Sequence, residues 1–305
     1  MSNNKDDRIL TFQEFDDIKV STKTFTAMTN LCIDLKKLFN FLPVIEYNVV
    51  PKRRGRKKKN EKNDTNLEIP QGSIITLKYE DGLRGVDLKK KKSEKKRKWF
   101  RNSFTVVILI EKYINFKVCR NGTFQMTGCK TLAQAEQCVK HIWNLIKDDK
   151  TIYSLSSGDH PEAIFIPAMR NIDFSLGFYI DREKLARYMS TQTECHCLLE
   201  TSFGYTGVNI KIPLTKKINT INVCKINYLN NEWVKEYVPY KHYLDKLTSK
   251  EKIDKLQEER YNTFLVFHSG KTIMSGLTGE LMRDTYYTFI DIIRKCHKEI
   301  EERLD

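Results

Sequence analysis

Two stretches of the chain carry the same pattern of apolar and polar positions. Tyr113 to Gly128, YINFKVCRNGTFQMTG, and Tyr261 to Gly276, YNTFLVFHSGKTIMSG, each alternate apolar and polar residues, break at a glycine-closed turn, and alternate again up to a Ser/Thr-Gly pair. Period-two alternation on both sides of a short glycine turn predicts a β-hairpin, here with two-residue turns at Asn121-Gly122 and Ser269-Gly270. The turn glycines lie 148 residues apart, and so do the closing glycines Gly128 and Gly276, so one αβ unit is used twice without slippage across the hairpin.

The pattern extends on either side. Val20 to Ile33 reads as a strand, and Asp34 caps a short helix, LKKLFNFL, that Pro43 stops. Gly72 to Tyr79 is a strand ending in a turn at Glu80-Asp81-Gly82, and Phe104 to Ile110 is a central strand. Thr131 opens a helix whose Leu132, Ala135, Val139, Ile142 and Ile146 share one face. Ser154 to Asp159 links two halves, and the order then repeats: strands in Ala163 to Tyr179, a helix from about Asp181 to Met189, strands from Cys195 to Ile212. An insert, Lys216 to Arg260, interrupts the copy with strand-like INTINVCKINYL, aromatic-rich WVKEYVPYKHYL and a charged helix, SKEKIDKLQEER. After the second hairpin, Met282, Tyr286, Phe289, Ile293, Cys296 and Ile300 recur in steps of four and three, the core stripe of a long closing helix. Two copies of strand, helix, strands, hairpin, helix predict a sheet covered by helices on one side, with the other side free to work. The expected organisation is a tail at 1–19, a first repeat at 20–150 with a basic insert at 51–101, and a second repeat at 151–305 with an insert at 214–260.

Composition changes this picture in one place. At 305 residues and 40% hydrophobic content the chain can bury a real core, as two domains or as one built from two halves. Its net charge of +14 is concentrated: residues 51–101 hold 19 Lys/Arg against 7 Asp/Glu. Within them Pro51 to Asn66, PKRRGRKKKNEKNDTN, has no apolar period, and a second basic run, KKKKSEKKRK, follows at Lys89 to Lys98. The arm Lys52, Arg53, Arg54, Arg56, Lys57, Lys58 and Lys59 reads as a nuclear-import signal, a phosphate-binding arm or a solvated tail, and non-specific phosphate binding is the favoured of the three.

Other chemistry is excluded or weak. The start, MSNNKDDR, has no apolar signal core, and the longest apolar run, near Val106 to Ile110, is far too short to span a bilayer. Eight cysteines without a C-x-x-C spacing point to reduced thiols in an intracellular setting. Cys195-His196-Cys197 lacks a second ligand pair, so packing is the expected role and no metal site is assigned. Neither G-x-x-x-x-G-K-[ST] nor H-E-x-x-H occurs, the six histidines are dispersed, and neither catalysis nor a cofactor is expected.

FLVFHSGKTIMSG and FKVCRNGTFQMTGCK resemble the second- and first-repeat signatures of the TATA-box-binding protein family, especially its divergent forms in large DNA viruses. The resemblance covers most of Thr22 to Leu304; the basic segment and the Lys216 to Arg260 insert have no counterpart in the cellular core. It implies an α+β saddle: a curved antiparallel sheet with pseudo-twofold symmetry, helices on the convex face, and the concave face on the DNA minor groove. Kinking by apolar side chains wedged between base steps is that family's own mode of binding. The resemblance further implies double-stranded, AT-rich promoter DNA, a transcription factor IIB-like protein and an RNA polymerase as partners, no membrane, and a monomer.

Carried over by position, the family's phenylalanine pair falls on Phe267 and Tyr205 in the second repeat and on Phe104 and Cys119 in the first, where a thiol replaces the ring. The family's paired asparagines at the groove centre fall on Thr24 and Ile166, with Asn30 and Asn171 close enough to leave the register open. Alternation independently places Thr123, Gln125 and Thr127 on one strand face and Lys271, Ile273 and Ser275 on another, a surface that suits the acceptors of a minor-groove floor. Three readings follow: a viral TATA-binding-like initiation factor that bends promoter DNA, a saddle-shaped interaction protein that has lost specific DNA binding, and a non-specific basic nucleic-acid-binding protein.

Overall fold

A computed structural model describes residues 10–45, 69–87, 102–199 and 207–303. The basic arm, the second basic run and Tyr205 lie outside the described residues. In chain order the elements are β1 (Val20–Thr29), β2 (Leu31–Ile33), α1 (Leu35–Phe41), β3 (Ile74–Tyr79), β4 (Gly82–Gly85), β5 (Ser103–Ile110), β6 (Lys112–Cys119), β7 (Thr123–Cys129), α2 (Leu132–Ile146), β8 (Tyr153–Leu155) and β9 (Glu162–Ser175). There follow α3 (Arg182–Gln192), β10 (His196–Leu199), β11 (Gly207–Pro213), β12 (Asn222–Leu229), β13 (Glu232–Pro239), α4 (Lys241–Leu244), α5 (Ser249–Gln257), β14 (Tyr261–Phe267), β15 (Lys271–Gly276) and α6 (Gly279–Ile300).

The chain packs as two units. The first-repeat unit comprises Thr24–Ile166 and Val223–Tyr237; the second-repeat unit comprises Met1–Lys23, Pro167–Asn222 and Val238–Asp305. In the first, antiparallel strands run β1-β7-β6-β5-β3-β4; in the second, β10-β11-β14-β15-β9. This is the expected mixed fold, antiparallel sheet and helices.

Each unit has one core, on one face of its sheet. In the first, alternate residues Ile114, Phe116, Val118, Phe124 and Met126 meet Ala135, Cys138, Val139, Ile142 and Ile146 of α2. In the second, Phe264, Val266 and Met274 meet Met282, Tyr286, Phe289, Ile293, Cys296 and Ile300 of α6, with the Phe264 and Phe289 rings stacked at 4.0 Å. Fully burying such a side chain contributes about 1.5–3 kcal/mol, so these two seams hold the helices to the sheets. Among the described residues no helix is long and apolar enough to cross a membrane.

The copies agree in their hydrogen bonds. Asp34 and Asp181 each accept from two backbone N–H groups at a helix start, and Thr131 and Thr278 cap the two longer helices. Ile33 donates to Arg120 at 2.8 Å as Ile180 does to His268 at 2.8 Å, and Asp34 donates to Ile152 as Asp181 does to Ile300. Equivalent residues are thus 147 or 148 apart along both repeats.

Three features differ from expectation. The hairpin turns are three-residue loops, because Val118 pairs with Phe124 and Val266 with Thr272, while Gly122 and Gly270 donate to Cys119 and Phe267. Both glycines are left-handed, at φ 71° and 73°, completing a turn with a bulge rather than a two-residue turn. A Cβ there would lie 2.2 Å from the carbonyl oxygen of Leu31 or of Phe178, so the close approach demands glycine twice over. Second, the expected link at Ser154 to Asp159 begins inside β8, which pairs with β2. Third, β12 and β13 form a hairpin through Asn230 and Asn231, both at positive φ, and β12 pairs with the first half of β9 in the first-repeat unit. The insert therefore serves both units.

Candidate nucleic-acid interface

Opposite each core, the sheet residues that alternation turns away from the helices form a regular array. In the second-repeat unit the cross-strand register sets Lys211, Thr263, Ser275 and Asn171 in one row and Asn209, Leu265, Ile273 and Asp173 in the next. Gly207, Phe267, Lys271 and Ser175 make a third row beside the hairpin loop. In the first-repeat unit the rows are Val107, Asn115 and Thr127; Thr105, Lys117 and Gln125; and Ser103 and Cys119, with Thr123 across the loop. Most of these side chains are half-buried or exposed, whereas their neighbours along each strand are buried.

The face is polar without being strongly charged. Hydroxyl and amide groups dominate, with Lys117, Lys211 and Lys271 as cations and Asp173 as an anion 3.4 Å from the Ser21 hydroxyl. The Asn171 and Asn209 side-chain carbonyls are buried with no hydrogen-bond partner among the described residues, a state that costs about 1–3 kcal/mol for such a group. Hydroxyl and amide donors match the adenine N3 and thymine O2 acceptors that line a minor groove.

The residues singled out by sequence fall into three groups. Thr123, Gln125, Thr127, Lys271, Ile273, Ser275, Phe267, Cys119 and Thr24 lie on the array or its repeat-related strand. Partial burial pushes the Cys119 thiol up from its ordinary value while Lys117 pulls it down, leaving a small neutral group where the second repeat has a phenyl ring. Phe104 does not join them. It is 1% exposed, edge-on to the rings of Phe39 and Tyr79 in the first core. Because Ser103 pairs with Cys119 as Gly207 pairs with Phe267, the repeat partner of Phe104 is Val208, also a core residue, and not Tyr205. Asn30 is likewise off the face: its amide donates to the Ser157 and His160 carbonyls and accepts from Glu162 N–H, bracing a loop.

Thr24 corresponds to Asn171, 147 residues on, and Ile166 is a buried residue at 7% exposure. The array also holds Asn115, Lys117, Thr105, Asn209, Lys211, Thr263 and Leu265, which lie outside the set that the sequence singles out. The outgoing strands of both hairpins alternate as clearly as the return strands, so Asn115, Lys117, Thr263 and Leu265 were legible there. Among the described residues no group of three His, Cys, Asp or Glu side chains could hold a metal ion.

No family model matches the chain. The uncharacterized protein 335L of Invertebrate iridescent virus 6 is 32% identical over 211 residues, which are 65% of this chain and 62% of that one. The TATA-box-binding protein-like protein of Acanthamoeba polyphaga mimivirus is 27% identical over 176 residues, 48% of this chain and 47% of that one. The chain thus spans less than two thirds of the length of either curated relative. Among solved structures, Methanococcus jannaschii TBP aligns with 91% of this chain and 98% of its own at a TM-score of 0.48 and 13% identity. Over about half its length the chain thus resembles a giant-virus protein named TATA-box-binding protein-like.

Proposed function

We propose that the protein is a viral transcription initiation factor that lays its two open sheet faces on the minor groove of AT-rich promoter DNA and bends it. The observation that supports this reading is the doubled array, three cross-strand rows of mostly polar side chains in each unit. A duplicated surface suits a ligand whose two halves are alike, as a duplex is. On this reading the helices, on the opposite face, meet a transcription factor IIB-like protein and a polymerase, and the segments at 51–101 add sequence-independent phosphate contacts.

The deciding experiment is selection of bound duplexes from a random pool, followed by a fluorescence bend measurement on the winners. An AT-rich consensus with a bend is the expected result. A chain that binds all duplexes alike with a steep salt dependence is a non-specific basic binder. A second reading, an interaction protein that has lost specific DNA binding, draws on Cys119 standing where the other repeat has Phe267, and on Thr24 standing opposite Asn171. Capture of a protein partner with no duplex retained would establish it.

A further inference from the structure

The insert carries a cleft of about 620 Å³ in the second-repeat unit, between the β10 and β11 edge of the sheet and the segment that follows α5. Its walls include His196, Lys217, Lys255, Arg260 and Tyr261. It adjoins the open face. Tyr261 pairs with Pro213 one step beyond the Lys211–Thr263 row, about 7 Å along the strands, and His196 pairs with Lys211. The His196 ring stands edge-on to Tyr261 at 5.6 Å.

Charge in the cleft is unevenly spent. Glu258 is already held by Arg260 and by Lys255, Glu259 accepts the Tyr261 hydroxyl at 2.5 Å, and Lys216 pairs with Asp284 at 3.0 Å. Lys217 and Lys211 are exposed and make no ion pair among the described residues. The buried Nε of Arg260 has no hydrogen-bond partner among them either. The wall carboxylates are thus held, while the ammonium group of Lys217 in the wall, and that of Lys211 on the row beside it, are left to an anion.

We propose that this cleft takes a backbone phosphate of the duplex lying on the open face, with Lys217 in its wall and Lys211 on the adjoining row as the cations, so that the insert widens the DNA footprint at the edge of the second repeat. The inference rests on the reading of the face as a minor-groove surface. A groove about 6 Å wide is flanked by its two phosphate backbones, which must therefore pass over the rims of whatever fills it, and the β10 edge is such a rim. Continuity with the face favours nucleic acid over an acidic protein segment.

Lys217→Glu tests this, since the side chain is exposed and the change leaves packing alone. Binding of an AT-rich duplex by the full chain is measured by fluorescence anisotropy across a salt series, with bending followed in parallel. The expected result is weaker binding to every duplex, a salt slope flatter by about 0.9 log unit per lost phosphate contact, and an unchanged bend. Inorganic phosphate and a free nucleotide serve as competitors; saturable binding of either without effect on the duplex would overturn the proposal in favour of a small-ligand site. An unchanged slope and affinity while the wild type binds and bends would overturn the clamp alone. The same result with loss of binding to an acidic peptide would assign the cleft to a protein partner. A wild-type chain that binds no duplex would overturn the reading of the face, and the clamp with it.

Discussion

Cys119 and Phe267 occupy one place in two copies of a hairpin, and the difference between a thiol and a phenyl ring is the sharpest asymmetry on the open face. Unstacking a base step costs a few kcal/mol, roughly, and needs an apolar wedge, so the second repeat should kink DNA more than the first. Phe267→Ala is expected to reduce the bend in a fluorescence assay far more than Cys119→Ala, and equal effects would refute the asymmetry. Because Cys119 is half-exposed and faces away from the core, Cys119→Phe should leave the melting temperature of the free protein nearly unchanged while tightening binding to AT-rich duplex. The hairpin glycines behave differently. Gly122→Ala or Gly270→Ala puts a Cβ against a backbone carbonyl at positive φ, and a loss of at least about 1–3 kcal/mol is expected in denaturant unfolding.

At the scale of elements, the helix starts offer the clearest test of the repeat. Asp34→Ala and Asp181→Ala each remove the acceptor for two N–H groups and should each cost about 1 kcal/mol. The backbone N–H of Lys184, above all, holds the Asp181 carboxyl below its ordinary value of 3.8. A depressed acid stabilises the fold above its unfolded pKa and is lost as pH falls through the folded one. The gap in stability between wild type and Asp181→Ala should therefore be full at neutral pH and shrink below about pH 4; a gap independent of pH would mean the carboxylate charge is irrelevant. These caps, both hairpins and the stripe of α6 were all legible in the sequence, since each rests on local spacing. The face of β5 was not. SFTVVILI is apolar almost throughout, so its own pattern cannot tell Phe104 from Val107, and only pairing with the cleanly alternating β6 fixes which side is core. Asn30 was undecidable for a similar reason: the residues that claim its amide, from Ser157 to Glu162, lie about 130 positions away. The αL glycine of a three-residue loop fits the same letters as a two-residue turn, which is why loop length needed the strand register.

For the whole molecule, charge and connectivity matter most. If the arm at Lys52 to Lys59 contacts phosphates, its deletion should weaken binding to all duplexes about equally and flatten the salt slope by about 0.9 log unit per lost contact; an unchanged slope would mean the arm is idle. Connectivity bears on how the chain is made. The core of the first unit takes Cys224 and Ile226 from the insert, and that of the second takes Phe15 and Ile18 from the other end of the sequence. Domains usually fold as they leave the ribosome, N-terminal unit first. Here the earlier repeat must wait, with part of its apolar surface uncovered, until the β12–β13 hairpin has been synthesised, while Phe15 and Ile18 wait longer still. Nascent chains stalled short of residue 223 should accordingly recruit chaperones and resist compaction, and the two halves of the gene cannot be expressed apart without leaving each core short of residues encoded in the other.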